Sequence, residues 1–120
     1  MRFQTPPRLL LLLLSFLLFN IATAIVGGWT PIKDVNDPHV RDIGRYAVDR
    51  HERLTGENLQ FNDILSGETQ VVEGVNYRLV ISANEVVGAP SSAKKYEAVV
   101  WEKAWEGFRN LTSFKPINNA

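Results

Sequence analysis

An α+β fold, with one long α-helix lying across an antiparallel sheet of four to five strands, is predicted by three features of the sequence. Apolar residues recur at helical spacing between residues 38 and 54. A period of two takes over at residue 59 and holds to residue 114. The period-two segments follow one another through short, polar or glycine-bearing connections. Strands joined this way pair antiparallel, as a meander. One face of such a sheet must be covered, and the amphipathic helix is the element that covers it.

The chain begins with Arg2 and Arg8, followed by an apolar run from Leu9 to Phe19 that only Ser15 interrupts, and then by Ala22-Thr23-Ala24. A positive start, a short apolar run and a small-residue end make a secretory signal peptide over residues 1–24. The run is shorter than the ~20 residues of a membrane-spanning helix. The expectation is therefore a secreted domain of residues 25–120, starting at Ile25 and free of the membrane once the signal is removed.

The whole chain has 120 residues, no cysteine, and 13 basic against 13 acidic residues. This length suits one domain. Without Arg2 and Arg8, 11 basic residues face the 13 acidic ones, a balance that argues against a nucleic-acid partner. Small secreted domains commonly rely on disulfides, and this one must be held by packing alone.

Ile25-Val26-Gly27-Gly28 would open the mature domain. Paired glycines make a strip without side chains that another backbone can approach closely; an ordinary loose terminus is the plain alternative. A short strand before the helix is allowed for. The helix has Asp37 as N-cap, Pro38 at its first position and Gly56 as its stop. Val40, Ile43, Gly44, Ala47, Val48, His51 and Leu54 share its apolar face, and the small Gly44 and Ala47 predict close approach to the sheet. Leu59 to Thr69 is the first long strand, with an irregularity beyond Phe61 and a bulge at Ser66-Gly67. Val75 to Ala83 follows, with Val75, Tyr77, Leu79 and Ile81 on one face. Asn84 to Lys95 reads as a loop. Tyr96, Ala98 and Val100 then face one way and Glu97, Val99 and Trp101 the other. A turn at Glu102 to Gly107 leads into the last strand, Phe108 to Phe114.

Two turns carry side chains that folding alone does not call for. Gln70-Val71-Val72-Glu73-Gly74 is a hairpin tip with two adjacent β-branched apolar residues, and exposed apolar groups at a loop tip mark a partner. Ala104-Trp105 occupies the other turn. Its Trp either folds back against Trp101 or Phe108 or is presented outward. Two strands separate these turns, so a meander places both at the same end of the sheet.

Gln70-x-Val72-x-Gly74 resembles the signature of the cystatins, protein inhibitors of papain-like cysteine proteases. Ile43-Gly44-Arg45-Tyr46-Ala47-Val48 is similar to the helix signature of the plant cystatins, Leu-Ala-Arg-Phe-Ala-Val, with conservative departures at three positions. The resemblance implies the cystatin fold and a wedge of three segments. Gly27 and Gly28 would let the terminus lie along a protease's substrate groove. The tip at Gln70, Val71, Val72, Glu73 and Gly74 would enter the cleft, with Gln70 organising the loop or bonding the rim. Trp105 would pack beside the cleft, in a turn where the family has Pro-Trp and this chain has Ala104-Trp105. The implied action is reversible, non-covalent inhibition, without a cofactor or a metal. The implied partner is a papain-like protease of the plant itself, or one of a herbivore or microbe, the latter a defence role. Some plant cystatins carry a long extension that inhibits legumain-type proteases; this chain ends soon after Pro116, and that activity is not expected.

A catalytic reading has little to stand on. There is no cysteine, and His39 and His51, the two histidines, sit at the helix start and on its half-apolar face. No phosphate loop or nucleotide fingerprint is present. The rival reading is a non-inhibitory module of the same fold that binds a peptide or protein. Asn110-Leu111-Thr112 is an N-glycosylation acceptor sequence lying within a predicted strand. A monomer is expected, with exchange of hairpins at the Val71-Val72 tip as the route to a dimer.

Overall fold

A computed structural model describes residues 28–86 and 92–118. Among them are five strands and one α-helix: β1 (Trp29–Pro31), α1 (Pro38–Thr55), β2 (Leu59–Val72), β3 (Gly74–Glu85), β4 (Lys94–Lys103) and β5 (Phe108–Pro116), with a 3₁₀ turn at Ala104–Glu106. The sheet order is β1-β2-β3-β4-β5 and every neighbouring pair is antiparallel. The predicted fold class is what forms. The predicted signal segment, Gly27 and the residues before it lie outside the described part, as do residues 87–91 of the predicted loop.

Helix α1 has the ends its sequence encodes. The Asp37 carboxylate accepts from the Val40 N–H at 3.3 Å, Pro38 opens the helix, and Gly56 closes it in the left-handed conformation at φ 78°, its N–H donating to the Glu52 carbonyl. Val40, Ile43, Gly44, Ala47 and Val48 are buried. Gly44 is small for a reason: a β-carbon there would stand 2.9 Å from Ile64 Cδ1 and 3.3 Å from the Phe61 ring. The helix therefore crosses β2 at a distance that only glycine allows. Leu54 departs from its predicted face. It is 61% exposed, because the last turn of α1 runs past the edge of the core.

The sheet's inner face is the alternation of β3 and β4. Leu79, Ile81, Ala83, Ala98 and Val100 are fully buried against Ile43 and Ala47, and Tyr77 and Tyr96 close the ends of the layer. The β2–β3 register slips between Phe61 and Asp63 and again between Ile64 and Ser66. The second slip lies just ahead of the predicted bulge, and it swings Leu65 outward, 47% exposed. Gly67 itself is in register with Leu79, and a β-carbon on it would meet Leu79 Cδ2 at 2.7 Å and Ile32 Cδ1 at 3.0 Å. It is a close-packing glycine, seated under the chain that leads from β1 to the helix.

Both histidines have structural surroundings. His51 stacks on Phe114 with ring centroids 4.0 Å apart and is bonded to Glu57 at 2.6 Å. His39 reaches across to the end of β4, where Glu102 corrects the predicted turn. Glu102 belongs to β4 and is 7% exposed on the core side. Its carboxylate accepts from His39 Nε2 at 2.7 Å and from Arg109 Nε at 2.8 Å, and Arg109 also pairs with Asp42 at 2.9 Å. Helix start, β4 and β5 are tied together by this buried carboxylate.

Candidate functional site

The end of the sheet where β2 meets β3 and β4 meets β5 is built around one tight turn. Strand β2 runs further than its pattern indicates. Gln70 is in register with Asn76, Val71 with Val75 and Val72 with Gly74, so Glu73 alone stands outside the ladder. The β-branched valines that look out of place in a turn are in fact strand residues. Their pairing explains how an apolar tip stays ordered: Val71 is 51% exposed, yet its backbone is held in the sheet.

Gly74 makes this turn. Its φ is 94°, a left-handed value that side chains disfavour, and a β-carbon would stand 2.2 Å from the Glu102 carbonyl oxygen. Tip and β4 are thus in backbone contact. The Gln70 side chain braces the tip from the β2 side, its Oε1 accepting from Asn76 Nδ2 at 3.0 Å.

Strand β1 brings the N-terminal strip to the same end. Trp29 is in register with Gln70, which places the exposed Gly28 beside the Val71 position. The strand is anchored on the outer sheet face, where Arg78 lies 4.1 Å over the Trp29 ring and its guanidinium is held by Glu68 at 2.6 Å. On the other side, Lys103 is in register with Phe108 and the chain turns through Ala104–Glu106. Gly107, at φ 61°, donates to the Ala104 carbonyl at 3.1 Å and closes the turn.

Trp105 is presented outward, 65% exposed. The contact it was given as an alternative is taken up by others: Trp101 and Phe108 pack edge-to-face on each other at 5.3 Å, and Lys103 Nζ lies 4.9 Å from both rings. Gly28, the Val71–Gly74 tip and Ala104–Trp105 therefore stand in a row along one edge, in the order set by the strands. The edge carries exposed turns, and among the described residues one concavity of about 490 Å³ lies under the second turn, lined by Glu102, Ala104 and Gly107, while another of about 590 Å³ beside His51 and Phe114 lies at the opposite end of the sheet. Among the described residues no cluster of three or more His, Asp or Glu is placed to hold a metal ion. Exposed apolar groups at turn tips mark a surface for a partner.

Two residues of this region escape the motif reading. Trp101 donates its indole N–H to the Glu73 carbonyl at 2.7 Å and so clamps the tip. Glu102 lies on the inner face directly behind. Burial works to raise the Glu102 carboxyl, but the hydrogen bonds from Arg109 and His39 outweigh it and hold the group below its ordinary value of 4.5. The signal for Glu102 was present: it continues the inward phase of Tyr96, Ala98 and Val100.

Comparison with known proteins bears on the same residues. A family model described as aspartic acid proteinase inhibitor (SQAPI) matches residues 32–117. The chain is 49% identical over 114 residues to cysteine proteinase inhibitor 5 of Arabidopsis thaliana, spanning 91% of each. It is 53% identical over 92 residues to cysteine proteinase inhibitor 8 of Oryza sativa subsp. japonica, spanning 77% of this chain and 72% of that one. In three dimensions it is similar to the salivary cystatin of the soft tick Ornithodoros moubata, with a TM-score of 0.65 at 21% identity, over 78% of this chain and 100% of that one.

Proposed function

Because the chain belongs to the plant cystatins, the family of cysteine proteinase inhibitors, we propose that it blocks papain-like cysteine proteases by seating this edge in their active-site cleft. The observation that carries this reading is the alignment of Gly28, the Val71–Gly74 tip and the 65% exposed Trp105 along one edge. Such an edge fills a V-shaped cleft without offering a scissile bond to the nucleophile. Inhibition is then reversible and non-covalent. Affinity comes from a few apolar anchors, Val71, Val72 and Trp105, ringed by backbone hydrogen bonds. The chain acts as an inhibitor and not as an enzyme. The resemblance would add Gly27, with Ile25 and Val26 before it, to the part that meets the substrate groove; these three lie outside the described residues. We read residues 1–24 as a signal peptide and the protein as secreted and monomeric.

The family model's description names aspartic proteinases, and the plant relatives' names give cysteine proteinases. The tip supports the second: Gln70, Val72 and Gly74 are all present, and Gly74 is needed by its geometry. The test is a titration of papain, and of pepsin in parallel, with residues 25–120 and with the Val72→Asp variant, using fluorogenic peptides. Reversible inhibition of papain that the variant loses is the expected result. Inhibition of pepsin alone would move the target to aspartic proteinases. No inhibition of either by the folded chain would leave the non-inhibitory binding module.

A further inference from the structure

The acceptor sequence Asn110-Leu111-Thr112 plays no part in the wedge, and its surroundings are specific. Asn110 is exposed on β5, which is an edge strand because it pairs with β4 alone. In register it faces Trp101, and Lys103 faces Phe108. Phe108 and Asn110 are two residues apart, so they project from the same, outer face of the sheet, together with Trp101 and Lys103. Trp101 and Phe108 are half-buried and touch edge-to-face at 5.3 Å. Leu111 turns the other way and packs against the core. Thr112 sits where the β4–β5 register breaks, between Val99 and Val100, and its hydroxyl donates to the Val99 carbonyl at 3.1 Å.

We propose that Asn110 carries an N-linked oligosaccharide whose innermost sugar lies against the Phe108–Trp101 aromatic pair. This rests on the secretion reading above, since the donor is met in the secretory pathway. Asn110 Nδ2 attacks the anomeric carbon of a lipid-pyrophosphate-linked oligosaccharide. The C–N bond forms, the anomeric C–O bond breaks, the amide gives up one proton, and the lipid pyrophosphate leaves with the bonding electron pair. Transfer precedes folding of β5, because in the folded sheet the Thr112 hydroxyl is committed to Val99. Once the sheet forms, the bond at Asn110 points away from the core and strains nothing. One face of a pyranose ring is lined with C–H groups and is apolar enough to rest on an aromatic surface. Trp101 stands directly opposite Asn110 on β4, and Phe108 is the next residue along β5 on the same face. The sugar would also stand on the open edge of the sheet and obstruct pairing with another copy's strand.

The test uses the full 120-residue chain produced in plant cells and recovered from the medium. Digestion with a peptide N-glycosidase active on plant glycans, in H₂¹⁸O, converts a glycosylated Asn to labelled Asp. Label at Asn110 is expected in the natural chain and in Thr112→Ser, and absent in Thr112→Ala. Thermal unfolding before and after glycan removal then tests the stacking. The natural chain is expected to lose several degrees in Tm, and Phe108→Leu, which keeps apolar bulk and Trp101 but removes one ring of the seat, is expected to lose clearly less. A secreted chain without label overturns the modification. An equal loss in both chains overturns the aromatic seat. A chain retained in the cytosol overturns the secretion reading and this proposal with it.

Discussion

The indole N–H of Trp101 donates to the carbonyl oxygen of Glu73 at 2.7 Å, and so fastens the first hairpin tip to the strand that leads into the second. Glu73 is the single residue outside the β2–β3 ladder at that end. Its peptide is what the protease would press against, and Trp101 keeps it from rotating. Replacing Trp101 with Phe retains a ring for Phe108 and Lys103 and removes the donor. The expected loss is that of one hydrogen bond, about 0.5–1.5 kcal/mol, or a roughly 2- to 13-fold weaker complex with papain. Progress curves should place the change in the dissociation rate, because a looser tip lowers the pre-organisation of the bound form.

Gly74 and Gly107 both have positive φ, at 94° and 61°, and they should respond differently to alanine. At Gly107 a β-carbon meets nothing within 4 Å, so Gly107→Ala should cost only the left-handed strain, about 1–2 kcal/mol. At Gly74 the same atom would stand 2.2 Å from the Glu102 carbonyl oxygen, and the tip must part from β4 to admit it. Gly74→Ala should cost about 3 kcal/mol or more by urea unfolding and abolish tight inhibition. Similar losses in the two variants would show that the contact with Glu102 is not what makes Gly74 necessary.

These two contacts also separate what the sequence makes legible from what it does not. Helix α1 could be read to the residue, from Asp37 to Gly56, because caps are local chemistry. The inner faces of β3 and β4 could be read from strict alternation. The three segments of the edge were identifiable by motif and by counting strands. Local pattern failed where pairing overrides it. Val71 and Val72 look like an apolar loop until their partners Val75 and Gly74 draw them into the ladder. Leu54 keeps the helical phase but overshoots the core, and Leu65 is turned out by a register slip that no residue type announces. Trp101 and Glu73 are 28 positions apart, and their bond depends on a register that only the folded sheet defines.

The buried carboxylate at the foot of the second hairpin should give the protein an acid limit. Glu102 is held below its ordinary 4.5 in the folded chain and returns to an ordinary value on unfolding. As the pH falls, the unfolded chain takes up this proton first. The stabilisation is therefore complete above about 4.5 and is lost as the pH drops through the folded value. Asp63 is lowered too, by its hydrogen bond from Arg41, and acts in the same direction from the surface. Comparing Glu102→Gln with the natural chain isolates the buried group. The variant should be about 1.5–3 kcal/mol less stable at pH 7, and its denaturation midpoint should fall less steeply between pH 5 and pH 3 (about the range over which a carboxylate titrates). Parallel acid profiles would mean that other carboxylates set the limit.

Ala104 stands where the plant family has proline, and its setting is ready for one. It is the first residue of the 3₁₀ turn Ala104–Glu106, preceded by the extended Lys103 at φ −120° and ψ 91°. An extended conformation is what the residue before a proline prefers, and 3₁₀ turns use φ of about −50° to −70°, the range a pyrrolidine ring imposes. Ala104→Pro should therefore be accommodated without strain and restrict the unfolded and unbound loop. The gain in stability should be about 0.4–1 kcal/mol. Trp105, 65% exposed beside it, would lose less freedom on binding. Dissociation from papain should slow by roughly 2- to 5-fold, the same free energy expressed as a rate. Stopped-flow displacement with a fluorogenic substrate measures this directly. Unchanged dissociation together with a raised Tm would show that the turn is already ordered before it meets the protease, and that Ala104 sacrifices stability alone.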